Sequence, residues 1–151
     1  MRDDVWQFDM RARRFAEARD RYRASNPELF VASEPRVGED NFGVALNIAA
    51  AELRLGEKQH GEMLLGKCEA YYAARDERTR RASDSGLPVA VNALRGRKDE
   101  ALAALRRAID DGYRLGWWRV QIDPLVDSIR DDPRFVAMMK DIRADVDRMR
   151  K

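Results

Sequence analysis

Apolar residues in this chain recur three and four positions apart, in blocks broken by glycine, proline or short polar runs. That spacing puts them on one face of a helix. The plainest block is LPVAVNALRGRKDEALAALRRAIDDG, from Leu87 to Gly112. Pro88 suits a first helical turn, where its missing N–H would go unpaired in any case. Val89, Ala93 and Leu94 follow at helical spacing, and Gly96 is the expected stop. The next helix carries Ala101, Leu102, Leu105, Ala108 and Ile109 on one face. Asp99 and Glu100 lie near its start and Arg106 and Arg107 toward its end, as the helix dipole favours. Gly112 closes this helical hairpin.

The same plan occurs twice upstream. FGVALNIAAAELRLG, from Phe42 to Gly56, is a helix in which only Asn47, Glu52 and Arg54 are strongly polar. KQHGEMLLGKCEAYYAAR is its partner, with Leu64, Leu65, Cys68 and Tyr72 as core candidates. A glycine inside a helix costs roughly 1 kcal/mol relative to alanine. Gly61 therefore marks a place where two helices approach closely, as Ala101 does in the other hairpin. At the N-terminus DVWQFDMRARR pairs with FAEARDRYRASNP, where Phe15 and Tyr22 supply bulk and Ala18 takes the small position. Ala18, Gly61 and Ala101 are spaced by 43 and 40 residues, a period found in helical-repeat proteins.

Two proline signals start the tail. Asp123-Pro124 and Asp132-Pro133 each pair an N-cap acid with a first-turn proline. They open a short helix, PLVDSIR, and a longer one with Phe135, Met138, Met139, Ile142 and Val146 facing inward. The charged outer face of the last helix suits the end of a stack. Residues 26–41 and 112–122 are expected to be connectors, and residues 76–86 the most polar and mobile joint. The expected fold is all-α: about three to four tandem antiparallel hairpins, over residues 3–26, 41–75, 86–112 and 123–149 of a single domain 1–151, with a charged C-terminal capping helix.

Composition narrows the function. The chain of 151 residues is 44% hydrophobic and 37% charged, which suits one soluble domain with a packed core. No stretch approaches the roughly 18 apolar residues of a membrane span, and MRDDVWQFDMRARR has no apolar core of a signal peptide. Direct membrane insertion is not expected, and the sequence leaves the compartment, cytoplasmic or periplasmic, to any parent protein. The 29 basic and 27 acidic residues interleave, so no basic face for nucleic acid is expected. Cys68 is the only cysteine, which rules out an intramolecular disulfide and a cysteine zinc site.

The residues of these hairpins resemble the tetratricopeptide repeat. RFAEARDRYRASNP is similar to the second half of that motif, with Phe15, Ala18, Tyr22 and Pro27 in matching roles. LRGRKDEALAALRRAIDDG resembles it through Gly96, Ala101, Leu105 and Ala108, and the central unit through Ala49, Gly56, Gly61, Leu65 and Cys68. The ending DPLVDSIRDDPRFVAMMKDI looks like the close of the C-terminal repeat domains of larger bacterial signalling, regulatory or hydrolase proteins. The resemblance covers nearly the whole chain. It implies a right-handed hairpin array that holds a protein or peptide, or another domain of its own parent.

In such an array the first helix of each hairpin lines the concave side. The candidate partner-binding residues are thus Gly43, Leu46, Asn47, Ala50 and Leu53, either open to an apolar segment or covered by a loop. Relatives that grip a peptide carboxylate use asparagine with basic residues. Asn47 matches the asparagine, but its neighbours are apolar. Trp117 and Trp118 are candidate interface aromatics, one packed inward and the other exposed. His60 is expected at a surface or interface, lacking a second group nearby to orient it as a base. Cys68 is expected as a buried structural thiol. No catalytic residue, cofactor or metal is expected. The leading function is an interaction scaffold or regulatory domain; the alternatives are a homo-oligomerisation module, with a homodimer as its simplest form, and a small-molecule-sensing domain.

Overall fold

The computed structural model describes residues 8–31, 34–75, 86–114 and 117–149. Those residues are all-α, with no strand among them. None of their helices is long and apolar enough to cross a membrane. The polar joint at 76–86 lies almost wholly outside the described residues, as do residues 3–7 of the first expected hairpin. The chain gathers into two compact units, residues 1–75 and residues 76–151.

In the first unit a helical turn over residues 8–11 precedes α1, Phe15–Ser25, and the short α2, Glu28–Val31. The helix α3, Phe42–Leu55, and α4, Lys58–Ala74, form the central hairpin. Gly56 ends α3 in the left-handed conformation, at φ 83°. There the N–H of Glu57 reaches back to the carbonyl of Glu52 at 2.9 Å, closing a Schellman turn that favours glycine. The two helices run antiparallel. Phe42, at the start of α3, stacks on Tyr71, near the end of α4, with ring centroids 5.4 Å apart.

Gly61 is where α4 meets α3 most closely. A Cβ there would lie 3.2 Å from the Ala49 carbonyl oxygen and 3.2 Å from Leu53 Cγ. The close crossing expected from the sequence is present, and it explains a glycine inside a helix. The α1 helix packs on α3, with Ala18 and Tyr22 buried on its inner side. An Arg19–Glu57 ion pair joins α1 to the α3–α4 turn. Asp9, also buried, takes ion pairs from Arg14 and Arg21, which pins the N-terminal turn to α1. The connector after α1 is more ordered than a plain loop, because it holds α2.

The second unit opens with α5, Leu87–Leu94, and α6, Lys98–Asp110, as an antiparallel hairpin. Gly96 plays the part of Gly56: its φ is 71°, and Arg97 N–H bonds to the Asn92 carbonyl at 2.9 Å. Then come α7, Trp117–Ile122, a 3-10 helix over Pro124–Ile129, and α8, Pro133–Met149. The stretch expected as a connector, 112–122, thus contains a helix. Its glycines break the apolar period, yet WWRVQI is long enough for one and a half turns between them and Pro124.

The core of this unit joins the inner faces of α5, α6, the 3-10 helix and α8, with Leu105, Ile129, Phe135 and Ile142 at its centre. Ala101 is fully buried, and both Met138 and Met139 fill core space. Polar ties fix the tail. Asp123 caps the 3-10 helix by accepting from Leu125 N–H at 3.0 Å. Ser128 Oγ donates to the Ala93 carbonyl at 2.7 Å. Arg134 at the start of α8 reaches Asp99 of α6 at 2.8 Å.

Candidate functional site

Three places in the structure concentrate chemistry. The first was not visible as a pair in the sequence. Glu52 lies on the apolar face of α3, three residues beyond Ala49, and is 1% exposed. The turn at Gly56 brings α4 back alongside it. His60, in the first turn of α4, places Nδ1 2.6 Å from Glu52 Oε2. On its other side His60 Nε2 is 2.9 Å from the carbonyl oxygen of Leu29 in α2. Phe30 stacks on the imidazole, centroids 5.3 Å apart, and the Arg23 guanidinium lies 4.9 Å over the Phe30 ring. His60 is partly exposed and lies where α2, α3 and α4 meet; the expectation that no nearby group orients it is corrected, because a carboxylate eight positions upstream does so and the ring is clamped on three sides.

The protonation of this cluster follows from its acceptors. A backbone carbonyl only accepts, so Nε2 carries a hydrogen and donates it to Leu29. The Nδ1–Oε2 contact needs a second proton between its two atoms. The pair therefore holds two protons, whether as imidazolium and carboxylate or as neutral imidazole and carboxylic acid. Burial pushes the Glu52 carboxyl above its usual range, while the bond and charge of His60 and the charge of Arg23 pull it partly back. With both nitrogens engaged, the ring has none left to take a proton from a substrate.

The second place is a cleft of about 620 Å³ between the 34–41 segment and the last turns of α4. Glu34, Arg36, Asp40, Asn41, Lys67 and Tyr71 are among its walls. The segment is held in shape by Asn41, whose side chain accepts from Gly38 N–H at 2.9 Å and donates to the Arg36 carbonyl at 3.0 Å. Lys67 and Glu34 face each other loosely, at 4.0 Å. Both signs of charge are thus on offer around an aromatic floor.

The third place is α7. Trp117 packs against the core of the second unit, while Trp118 is 48% exposed and Ile122, one turn on, 46% exposed. Arg119 lies 5.2 Å over the Trp118 ring. Trp117 is thus the inward ring and Trp118 the outward one.

The five residues expected along a concave stripe have different fates. Leu46 and Ala50 are buried, so they serve the core. Leu53 is half-buried and packs at the Gly61 crossing. Gly43 is exposed with open space around it. Asn47 donates its amide to the Gly43 carbonyl at 3.0 Å, one turn back in its own helix. The stripe is therefore not a continuous open surface, because a helix this apolar is covered on most of its faces. Cys68 is buried as expected, and burial pushes its thiol up to about 12, with Glu69 adding to the rise.

No family model, curated protein or solved structure matches this chain.

Proposed function

We propose that this chain is a non-catalytic protein-interaction domain, a tetratricopeptide-like set of hairpins that serves a larger bacterial protein by holding a protein partner on α7. The observation that carries this reading is the exposed Trp118–Ile122 pair. Two large apolar side chains stand one helical turn apart on a helix that Trp117 anchors to the core. Tryptophan is over-represented among the residues that dominate protein interfaces, and an exposed isoleucine one turn away extends the apolar surface it offers. Arg119 beside Trp118 suits a partner with a carboxylate next to an apolar anchor. The hairpin plan supports the repeat reading: left-handed Gly56 and Gly96 close the two turns, and Gly61 and Ala101 fill matching small positions.

The test is site-specific photo-crosslinking in cells, with the photoreactive residue at 118 or 122 and, as a control, at exposed Val136 of α8. A discrete protein adduct at 118 and 122, absent at 136, is expected. Equal labelling at all three sites, or none, would overturn the reading. An adduct of twice the chain mass would assign the surface to a homodimer instead.

A second reading, a small-molecule-sensing domain, is favoured by the cleft alone. Its volume of about 620 Å³ falls within the roughly 300–1,000 Å³ typical of ligand pockets. Its mixed charges suit a zwitterion. Saturable thermal stabilisation by an amino acid or a dipeptide, lost in Lys67→Ala, would support it.

A further inference from the structure

We propose that His60 and Glu52 form a proton-operated latch, which ties the backbone of α2 to the α3–α4 hairpin while the pair keeps its shared proton and releases it as that proton leaves. This inference is independent of where a partner binds. It rests on the two contacts described above, 2.6 Å to Glu52 and 2.9 Å to the Leu29 carbonyl, on opposite sides of one ring.

The two contacts together require two protons, and the pair is then neutral overall. Take one away and only one contact keeps a hydrogen. If the remaining proton stays on Nε2, the Nδ1 lone pair faces a carboxylate. If it stays on Nδ1, the Nε2 lone pair faces the Leu29 carbonyl. The charged carboxylate draws the remaining proton to Nδ1, so it is the Leu29 contact that turns into a repulsion between acceptors, and the partner that moves is α2, a four-residue helix. The ring of Phe30 leaves with it. Adding a proton does not have this effect, because a neutral carboxyl still offers an oxygen to Nδ1–H. The latch therefore loosens on the basic side only.

The groups around the pair agree with that direction. Arg23 comes from α1, Phe30 and the Leu29 carbonyl from α2, Glu52 from α3, and Glu57 from the turn before α4. Glu57 raises the affinity of Glu52 for its proton and Arg23 lowers it, but burial of Glu52 is the largest influence and raises it. The sign of the linkage follows. The two contacts need two protons on the pair, so the stability contributed by the latch is lost as pH rises past the point at which the pair gives up the second of them.

Glu52→Gln separates this latch from a merely structural contact. A glutamine amide donates to Nδ1 while Nε2–H still bonds to Leu29, so both contacts survive with one fewer proton. In the full chain, melting temperature is followed from pH 6 to pH 10 for the wild type, Glu52→Gln and His60→Ala. The wild type should lose stability across this range relative to Glu52→Gln, whose profile stays at least twofold flatter. His60→Ala, which leaves Glu52 buried without its donor, should be destabilised at both ends of the range. His60 is the only histidine, so its ring ¹⁵N signals can be read without ambiguity, and Leu29-Phe30 is the only Leu-Phe pair, so ¹³C-carbonyl leucine with ¹⁵N phenylalanine isolates the Leu29 carbonyl. In the wild type they should titrate together. Parallel profiles for wild type and Glu52→Gln, or a Leu29 carbonyl signal unchanged from pH 6 to 10, would overturn the proposal. The second readout needs no variant, so it stands even where Glu52→Gln fails to fold.

Discussion

Replacing Leu46 with glutamate tests whether the middle of α3 is interior or a contact surface. Leu46 is 4% exposed, so removing it forfeits the burial of a whole leucine, about 2 kcal/mol. A carboxylate at that position takes up a proton instead of remaining charged in the core. Keeping a glutamate of ordinary pKa protonated at pH 7 costs roughly 4 kcal/mol, at about 1.4 kcal/mol per pH unit above ~4.3. The combined loss approaches the whole stability of a small domain, about 5–15 kcal/mol. At pH 5 the protonation share falls to about 1 kcal/mol. Leu46→Glu should therefore be largely unfolded or severely destabilised at pH 7 and recover about 3 kcal/mol relative to the wild type at pH 5. Leu46→Ala, which only opens a cavity at a cost of about 2–5 kcal/mol, should show no such recovery. Urea denaturation followed by circular dichroism at the two pH values measures both. A Leu46→Glu midpoint equal to that of the wild type at pH 7 would refute the interior placement and return Leu46 and Ala50 to a surface stripe.

Gly61→Val should destabilise by roughly 1–3 kcal/mol in the same assay, because a Cβ already meets the Ala49 carbonyl oxygen at 3.2 Å and a branched side chain forces the helices apart. A gain in stability would mean that α4 shifts freely. Cys68, with its thiol pushed up to about 12, should react with a disulfide reagent at pH 8 at least about a thousandfold more slowly in the folded chain than in urea. Labelling of the native chain within minutes would contradict its burial. Asp123→Ala removes the cap on Leu125 N–H and should cost about 1 kcal/mol, read as a lower melting temperature; no change would show that Arg130 and Ser128 alone hold the 3-10 helix.

Local signals carried most of the fold. Gly56, Gly96 and Gly112 all take the left-handed conformation at helix ends, where the sequence pattern asked for stops. Asp123-Pro124 and Asp132-Pro133 each open a helix, because an acid that accepts backbone N–H groups and a residue with no N–H to lose are both local properties. The two short helices within the expected connectors were harder to see. Glu28–Val31 and Trp117–Ile122 span only one to one and a half turns, too few for an apolar period to repeat. Each is held by one of its own residues, Leu29, which is buried and bonded to His60, and Trp117, which packs on the second unit's core, but the groups that receive them lie elsewhere in the chain.

The same distinction explains what happened to the candidate sites. A helix apolar on nearly every face says that it is covered; it does not say by what, so the choice between an open stripe and a core position at Leu46 and Ala50 could only be made by packing. Glu52 is the instructive residue. It sits on the apolar face of α3, three residues from Ala49, where a charge is expensive unless partnered. That placement alone calls for a donor within reach, and the left-handed turn at Gly56 fixes where it must be, on the first turn of the returning helix. His60 is the titratable side chain there whose ring can serve a carboxylate on one edge and a backbone carbonyl on the other. A polar group for Glu52 is thus called for on the first turn of α4, and the structure puts His60 there. The immediate neighbours of His60, Gln59 and Gly61, carry no trace of that pairing, because the fold brings the partner to it.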